Sequence, residues 1–370
     1  MVPELGDGHN LCRFAAEPSD RPPSTNLYGP LVLPSGANET AGSKKFIHFV
    51  NRESTTESRQ TRPSSIVQRQ TRNGRVQYVK QYLEGDGGRT LEVIRARARR
   101  ECDLLRRLGR LDALSGRLGV PVVVEADGPT ATIVMDAVAG QAVLQLLLEA
   151  SRWSGRRNVL QPLYQAGRWL RVFQTLPLEP GDETALTSDP DSLDEYCLVR
   201  LEKIRDLGER WLTEELCSRI LIAVRTLVDS SPREDRTQVW SHADYDPGNL
   251  LWDGIRLTPI DFAMARLGPS LLDVTYFLHR LDVLAIQFPW RRWPWTSWKR
   301  AFLAGYGRAD ADRSPMYDAL MLRHWICRLQ TLVRRKSIGL LANLHDHWLR
   351  QRTRARIRLL LNRFKARLEQ

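Results

Sequence analysis

Within one short stretch, residues 239–262, four polar side chains are the best suited to chemistry: Asp244, Asp246, Asn249 and Asp261. Carboxylates that gather on an otherwise apolar segment need a cation to neutralise them. Oxygen ligands, with no nearby cysteine and one histidine, favour Mg²⁺ over zinc. The stretch therefore predicts a magnesium site, provided that the fold brings these side chains to one place.

A β-hairpin is the element that must position them. Asp253 and Gly254 lie between two apolar runs, which is a strong signal for a tight turn. A two-residue turn would oppose Trp252 with Ile255, Leu250 with Leu257, Asn249 with Thr258, and Asp246 with Asp261. We therefore expect the hairpin to return Asp261 to the mouth at which residues 242–249 enter.

The same stretch contains two motifs that resemble those of a known family. Residues 242–249 have the form His-small-Asp-x-x-Pro-Gly-Asn, and Ile-Asp-Phe follows at 260–262. The pair is similar to the catalytic and metal-binding loops of aminoglycoside phosphotransferases, choline kinases and related small-molecule kinases. Protein kinases carry Arg after the His and Lys two residues after the Asp, where this chain has Ala243 and Asp246. The resemblance implies a protein-kinase-like fold and a small-molecule kinase.

The resemblance also implies a role for each polar residue of the motifs. Asp244 would accept or orient the proton of an acceptor hydroxyl, and His242 would support the loop through hydrogen bonds. Asn249 and Asp261 would hold Mg²⁺ at the phosphates of ATP. The expected reaction is transfer of the γ-phosphoryl group of ATP to a hydroxyl group, which depends on positioning and charge stabilisation.

The residues before these motifs predict a small β-sheet and one helix. Strands are indicated by apolar alternation between turn residues, and the helix by apolar residues three to four apart. The helix spans 90–108, and the strands span 45–50, 66–70, 75–80, 120–125 and 131–136. By the resemblance, residues 51–64 would form the loop over the phosphates. They contain no glycine, so hydroxyls and the side chains of Arg52, Arg59 and Arg62 would make the contacts.

Five residues of this part are candidates for nucleotide binding by the same resemblance. Lys80 would hold the α- and β-phosphates and would pair with Glu101 of the helix. The backbone near Asp136 and Val138 would bind the adenine edge, and Met135 would flank the base. The plainer alternatives are an exposed strand lysine and a solvated glutamate among arginines.

The expected fold class is α+β, with two lobes as in protein kinases. A loosely ordered arm would span 1–40, an N-lobe with the antiparallel sheet 41–136, and a mainly helical C-lobe 137–370. Helical periodicity predicts helices at 143–150, 161–176, 193–207 and 211–229. The segment from Gly268 to Asp273 resembles one in which the aspartate braces the catalytic loop.

The acceptor is less well specified. Only about a dozen residues separate Asp261 from the helix expected near Ser270, whereas protein kinases need a longer segment there to bind a peptide. The net charge of +12 disfavours a cationic substrate. We therefore expect a sugar or a lipid-linked, cell-envelope saccharide. An aminoglycoside or amino-alcohol kinase, a catalytically idle nucleotide-binding regulator and a protein kinase stay open.

Two basic segments suggest a partner surface. Residues 288–300 interleave four tryptophans with arginine and lysine, and 350–368 form a basic amphipathic helix. They are typical of contact with an anionic membrane surface, or of a core-packed helix with a solvated basic face. No nucleic acid is expected. Five scattered cysteines, with no signal-peptide pattern and no spanning run, favour a cytoplasmic protein, at most peripheral to the inner face of the cytoplasmic membrane.

Overall fold

The computed structural model describes residues 55–62, 65–83, 90–115, 119–152, 159–180, 182, 192–335 and 339–369. Within these ranges, only the backbone is described for 55–62 and 111–115. The expected arm at 1–40, the expected strand at 45–50 and Arg52 lie outside the described residues.

A five-stranded antiparallel sheet forms the small lobe, in the order β1-β2-β3-β5-β4. Its strands are β1 (Thr55–Arg62), β2 (Ser65–Arg72), β3 (Arg75–Tyr82), β4 (Val123–Asp127) and β5 (Thr132–Asp136). The predicted turn between β2 and β3 is present, with positive φ at both Asn73 and Gly74. This is the backbone conformation that a two-residue hairpin loop requires.

The expectation of a phosphate loop at 51–64 is wrong for residues 55–62, which form a strand. β1 pairs with β2 from Thr55 opposite Thr71 to Arg62 opposite Ser65. The sequence of β1 is polar throughout and lacks the apolar alternation that marks a half-buried strand. The pairing of its backbone with β2 therefore defines this element.

Helix α1 (Leu91–Ser115) packs on the sheet. Ile94, Ala98 and Cys102, four residues apart, are buried with Tyr82 and Ile133 of the sheet. This spacing places them on one face of the helix. The expected helix at 90–108 is thus present and continues for two further turns.

The large lobe is mainly helical. Its longer helices are α2 (Val143–Ala150), α3 (Leu160–Phe173), α4 (Leu193–Asp206), α5 (Glu214–Asp229), α7 (Leu272–Gln287), α8 (Trp295–Tyr306), α9 (Pro315–Arg334) and α10 (Leu340–Leu368), and α6 (Arg233–Arg236) is a single turn. α3 and α8 cross in backbone contact: a Cβ on Gly167 would lie 2.0 Å from the Phe302 carbonyl oxygen, and one on Gly305 would lie 1.9 Å from that of Tyr164. Only glycine permits this approach.

Short strands carry the stretch that the sequence singled out. They are β6 (Gln141–Ala142), β7 (Gln238–Ser241), β8 (Leu250–Trp252), β9 (Leu257–Pro259) and β10 (Arg266–Pro269). β6, β8 and β9 form one small sheet, and β7 pairs with β10 in another. Beneath them lies a buried aromatic cluster of Trp169, Phe173, Trp240, Tyr245 and Phe262. The polar residues of the stretch therefore stand on a rigid apolar base.

The two basic segments are largely packed onto the large lobe. Trp298 is buried and Trp293 and Trp295 pack against the core, whereas Trp290 is 63% exposed. In α10, arginines pair with acids of other elements: Arg354 with Glu209, Arg356 with Asp282, and Arg363 and Arg367 with Asp318. Among the described residues, no helix is both long and apolar enough to cross a membrane.

Candidate active site

The hairpin between β8 and β9 forms with a register different from the predicted one. Leu250 pairs with Pro259 and Trp252 with Leu257, so the loop contains four residues, 253–256, rather than two. The Asp253 carboxylate explains the longer loop, because it accepts hydrogen bonds from the backbone N–H groups of Ile255 and Arg256 at 2.8 and 2.6 Å. An aspartate that caps its own turn in this way stabilises the wider connection.

The shifted register still brings Asn249 next to Asp261. The Ile260 N–H donates to the Asn249 carbonyl at 2.8 Å, which places Asn249 beside the residue before Asp261. The predicted opposition of Asp246 and Asp261 is wrong. Asp246 instead pairs with Arg280 of α7 and accepts the Gly248 N–H, which caps the turn at Pro247–Asn249.

We call residues 242–249 the aspartate loop. A buried carboxylate braces its start: Asp273 accepts the backbone N–H groups of His242 and Ala243 at 2.6 and 2.9 Å. Ala243 needs this support because its φ of 59° is unfavourable for a residue with a Cβ. Burial raises the pKa of Asp273 to about 7. Asp273 thus has the structural role that its sequence context suggested.

His242 is fully buried beneath the loop. Its Nε2 lies 3.1 Å from the Ile260 carbonyl, and its ring packs against Phe262 with centroids 4.6 Å apart. Burial lowers the pKa of His242 to about 4. The ring is therefore neutral near pH 7 and joins the aspartate loop to β9 and the residues after it.

Asp244 is held by two donors. The Tyr276 hydroxyl donates to Oδ1 and the Asn249 amide nitrogen to Oδ2, both at 3.0 Å. Desolvation by burial raises the pKa of Asp244 above its ordinary value, although both hydrogen bonds favour the charged form. The result is an oriented carboxylate that accepts a proton more readily than an exposed one.

Lys80, Glu101 and Asp261 form an ion triad that joins the two lobes. Lys80 Nζ lies 3.0 Å from both carboxylate oxygens of Glu101 and 2.7 Å from Oδ1 of Asp261. Burial opposes the charge on Lys80, but the two carboxylates outweigh it and raise its pKa. β3, α1 and the segment after β9 therefore meet at one buried ammonium group.

The backbone at Asp261 is left-handed, with φ 69° and ψ 63°. This region costs energy for a residue other than glycine, and such strain concentrates at functional sites. Here it turns the chain from β9 into the short helix that follows.

The oxygen donors of Asn249 and Asp261 suit a hard cation, although they are few. Among the described residues, no three His, Cys, Asp or Glu side chains surround a common point. The Asn249 amide nitrogen donates to both the carbonyl and the carboxylate of Asp244, so its orientation leaves the amide oxygen for a cation. Together with the Asp261 carboxylate, this oxygen matches the ligand chemistry of Mg²⁺.

The three predicted adenine contacts lie where β5 ends. Met135 pairs with Tyr78 of β3, and the Asp136 N–H donates to the Val122 carbonyl at 3.0 Å. The Asp136 N–H is therefore already in use within the sheet. Val138 follows two residues later, after the last backbone bond from Ala137 to the sheet.

Two residues of the site were missed from the sequence, Tyr276 and Arg280. They follow Asp273 at intervals of three and four residues, which places all three on one face of α7. That spacing, together with the expected bracing of the loop by Asp273, was the available signal, because both residues share the helix face that carries Asp273.

The family model of the phosphotransferase enzyme family (APH) matches residues 70–320. Among solved structures, the fold is similar to that of the aminoglycoside phosphotransferase of Alicyclobacillus acidocaldarius, at 16% identity and a TM-score of 0.53, covering 85% of this chain and 93% of the other.

The amicoumacin kinase hAmiN, in complex with AMP-PNP, Ca²⁺ and Ami, gives 14% identity and a TM-score of 0.53, with 84% and 89% covered. The Plasmodium vivax ethanolamine kinase gives 11% and 0.51, with 80% and 81% covered. At these identities the likeness is one of fold. No curated protein matches the sequence.

The match of the family model spans more than half of the chain and includes both motifs, the lysine strand and the helix with Glu101. The small antiparallel sheet and the mainly helical remainder agree with the expected kinase-like class. The chain therefore belongs to the phosphotransferase enzyme family and is a kinase with a hydroxyl group as acceptor.

Proposed function

We propose that this kinase transfers the γ-phosphoryl group of ATP to a hydroxyl group of a sugar or saccharide, with Mg²⁺ as the metal. The observation that carries the proposal is that two charged groups lie at the two chain ends of the β8–β9 hairpin. The buried Lys80 is fixed by Glu101 and by Asp261, which follows the hairpin, and the oriented Asp244 precedes the hairpin. Phosphoryl transfer needs this combination of charge stabilisation and positioning.

In this proposal Asp244 accepts or orients the proton of the acceptor hydroxyl. Its raised pKa and two fixed hydrogen bonds support the assignment. His242 and Asp273 position the loop and do not touch substrate. Lys80, oriented by Glu101, binds the α- and β-phosphates.

Asn249 and Asp261 are the residues that would hold Mg²⁺. When bound, the ion would neutralise charge on the phosphates. The donor orientation of Asn249 and the net negative charge of the ion triad support this assignment. Asp136 and Val138 would meet the adenine edge through backbone groups, and Met135 would flank the base.

A peptide substrate is disfavoured by the segment after Asp261. The ten residues 262–271 form a short helix and β10 and lead directly into α7. They leave no room for the longer segment that binds peptides in protein kinases. An idle nucleotide-binding regulator is disfavoured by the intact triad and the oriented Asp244.

A membrane contact is not part of this proposal. Three of the four tryptophans in 288–300 pack against the large lobe, and several arginines of α10 pair with acids there. The packed-helix alternative accounts for both segments. The cytoplasmic setting stays a prediction.

The test is incubation of the protein with γ-labelled ATP and Mg²⁺ in a panel of neutral sugars, sugar acids, sugar phosphates, amino-alcohols and proteins. We expect label on a saccharide, and we expect Asp244→Asn to lose this labelling while it still binds ATP. Asp246→Asn is the matched control on the same loop.

Equal labelling by Asp244→Asn and the unaltered protein would contradict the role of Asp244. Label on added proteins alone would support a protein kinase. ATP binding without transfer to any class of acceptor would support the regulator.

A further inference from the structure

The wall beside the aspartate loop is built by α7 and α9. Tyr276 of α7 contacts Asp244, and Arg280, one turn further along α7, pairs with Asp246. On α9, the ring of His324 packs against that of Tyr276, with centroids 5.4 Å apart. The two helices therefore continue the site away from the ion triad.

Arg328 lies on this wall, one helical turn after His324. It is half-buried, and within the described part of the chain no hydrogen bond or ion pair holds it. Its charged neighbours are two other arginines, Arg280 and Arg335, and one acid, Asp346. Asp346 is itself paired with Arg335.

The surroundings of Arg328 make the lack of a direct ion-pair partner costly. Desolvation by burial, together with the charges of Arg280 and Arg335, lowers the pKa of Arg328 to about 10. The nearby His279 and His324 are buried, and burial keeps both neutral. A partly desolvated guanidinium that no acid contacts directly is destabilising unless a ligand supplies a bonded counter-charge.

Arg323, the third arginine of this region on α9, is already in use. Its guanidinium stacks over the Tyr196 ring at 4.2 Å and bonds to Nδ1 of His324 at 3.2 Å. Arg280 is likewise occupied by Asp246. Of the three arginines described on this wall, Arg328 is therefore the one that an incoming group can bind.

We propose that Arg328 binds an anionic group of the acceptor, a carboxylate or a phosphate, while a hydroxyl of the same molecule reaches Asp244. This inference rests on the proposed function and narrows its substrate class to hydroxylated anions, such as sugar acids or sugar phosphates. The planar guanidinium suits both groups, because it presents paired donors to two oxygens.

The first experiment compares acceptors with one ring and different charges: glucose, glucosamine, glucuronate and glucose 1-phosphate, with the galactose and mannose counterparts. Under γ-labelled ATP and Mg²⁺, we expect an anionic member to have the highest kcat/KM. Glucuronate and glucose 1-phosphate separate a carboxylate from a phosphate requirement.

Arg328→Gln should then raise KM for the anionic acceptor by about 10-fold to 100-fold, as expected for one lost charge-assisted contact, with kcat nearly unchanged. Arg334→Gln is the matched control, since Arg334 is exposed near the end of the same helix. It should leave both constants unchanged.

A second measurement is independent of turnover. Isothermal titration calorimetry with glucuronate and glucose 1-phosphate uses protein saturated with ADP and Mg²⁺, so that the nucleotide site is filled. We expect these probes to bind more tightly than glucose, and Arg328→Gln to weaken them by about 10-fold or more.

The outcomes separate this inference from the kinase proposal. Efficient, Asp244-dependent phosphorylation of neutral or cationic sugars, or anionic probes that bind no better than glucose, would overturn the role of Arg328 and leave the kinase proposal intact. Binding of the anionic probes through Arg328 with no phosphoryl transfer to any acceptor would support the inference and count against the kinase proposal.

Discussion

The two sides of the aspartate loop differ in how their charges are balanced. On the side of the small lobe, Lys80 contacts two carboxylates, Glu101 and Asp261, within 3.0 Å. On the side of α7 and α9, Arg280 pairs with one acid, Asp246, whereas Arg328 forms no ion pair within the described residues and its acid neighbour, Asp346, pairs with Arg335. The first side has an excess of negative charge and the second an excess of positive charge.

This difference in net charge suggests a ligand of opposite charge for each side. The ion triad, with two carboxylates and one ammonium, is completed by a cation such as the proposed Mg²⁺. By the inference above, an anion would balance the charge of the wall with Arg328. If both proposals hold, the net charge of each side matches the opposite charge of its ligand.

Removal of the acid shared by the triad should have the largest effect. Asp261→Ala deprives Lys80 of its second partner and the proposed metal of its carboxylate. We expect kcat to fall by about 10³-fold or more, since a metal ion contributes several kcal/mol to such a transition state. Steady-state kinetics checks this, with the exposed Asp229→Ala of α5 as control. Turnover within tenfold of the unaltered protein would disprove a metal role for Asp261.

The second prediction concerns Asp244, the residue proposed to act on the acceptor hydroxyl. Asp244→Asn keeps the shape of the side chain but removes the proton acceptor, so kcat should fall by about 10² to 10⁴-fold. Binding of ATP, measured by calorimetry, should change little because the triad is untouched. Asp246→Asn, which only weakens the contact to Arg280, should cost less. An equal loss in both variants would point to loop collapse instead of chemistry.

Much of this site could be predicted from the sequence because its chemistry is local. The aspartate loop and Asp261 lie within twenty residues of one another, and their types and spacing suffice to assign them to one hairpin. Lys80 and Glu101 were expected as a pair from the family resemblance, and the structure places Lys80 Nζ 3.0 Å from the Glu101 carboxylate.

The errors have a common physical origin, which is a partner that is distant in sequence or a side chain that competes with the backbone. Arg280 pairs with Asp246 from 34 residues away in the sequence, and no pattern near the loop indicates this pair. Asp253 selects a four-residue turn by bonding to its own backbone. β1 is defined by pairing with its neighbour and not by its own apolar pattern.

A third prediction concerns a substitution that weakens the ion triad but keeps Asp261, the proposed metal ligand. Glu101→Gln leaves Lys80 with Asp261 alone, so the ammonium group is free to shift. We expect kcat/KM for ATP to fall by about 10²-fold, the usual cost of misplacing a catalytic group by about 1 Å. Glu92→Gln at the exposed start of α1 is the control and should behave as the unaltered protein. No change in Glu101→Gln would argue against the importance of the ion pair.

A fourth prediction concerns His242, which is buried beneath the aspartate loop. The pKa of His242 is about 4 in the folded protein and 6.5 in the unfolded one, so the unfolded state binds the extra proton between these values. The stability due to neutral His242 is present above pH 6.5 and is lost as the pH falls toward 4, by about 3 kcal/mol.

Urea unfolding of the protein and of His242→Gln at several pH values tests this. Asp273, with its pKa raised to about 7 by burial, acts in the opposite direction over the same window, so the readout is the difference between the two proteins. That difference should shrink as the pH falls. His345→Gln, at an exposed site of α10, should show no such trend. A difference that is constant with pH would mean that His242 is not neutral by burial.

The smallest expected effect comes from a substitution at the contact between α7 and the aspartate loop. Tyr276→Phe removes the hydrogen bond to Oδ1 of Asp244 and leaves the ring contact with His324 in place. A hydrogen bond to a charged group contributes about 1.5–3 kcal/mol. Because the Asn249 amide still donates to the same carboxylate, we expect the lower end of this range, a fall in kcat of about 10-fold. Because this bond favours the charged carboxylate, its loss raises the pKa of Asp244 further. The acidic limb of the kcat profile should therefore move to higher pH. If kcat falls and the limb stays in place, Tyr276 positions the acceptor and does not tune the aspartate, and the wall then acts on the substrate alone.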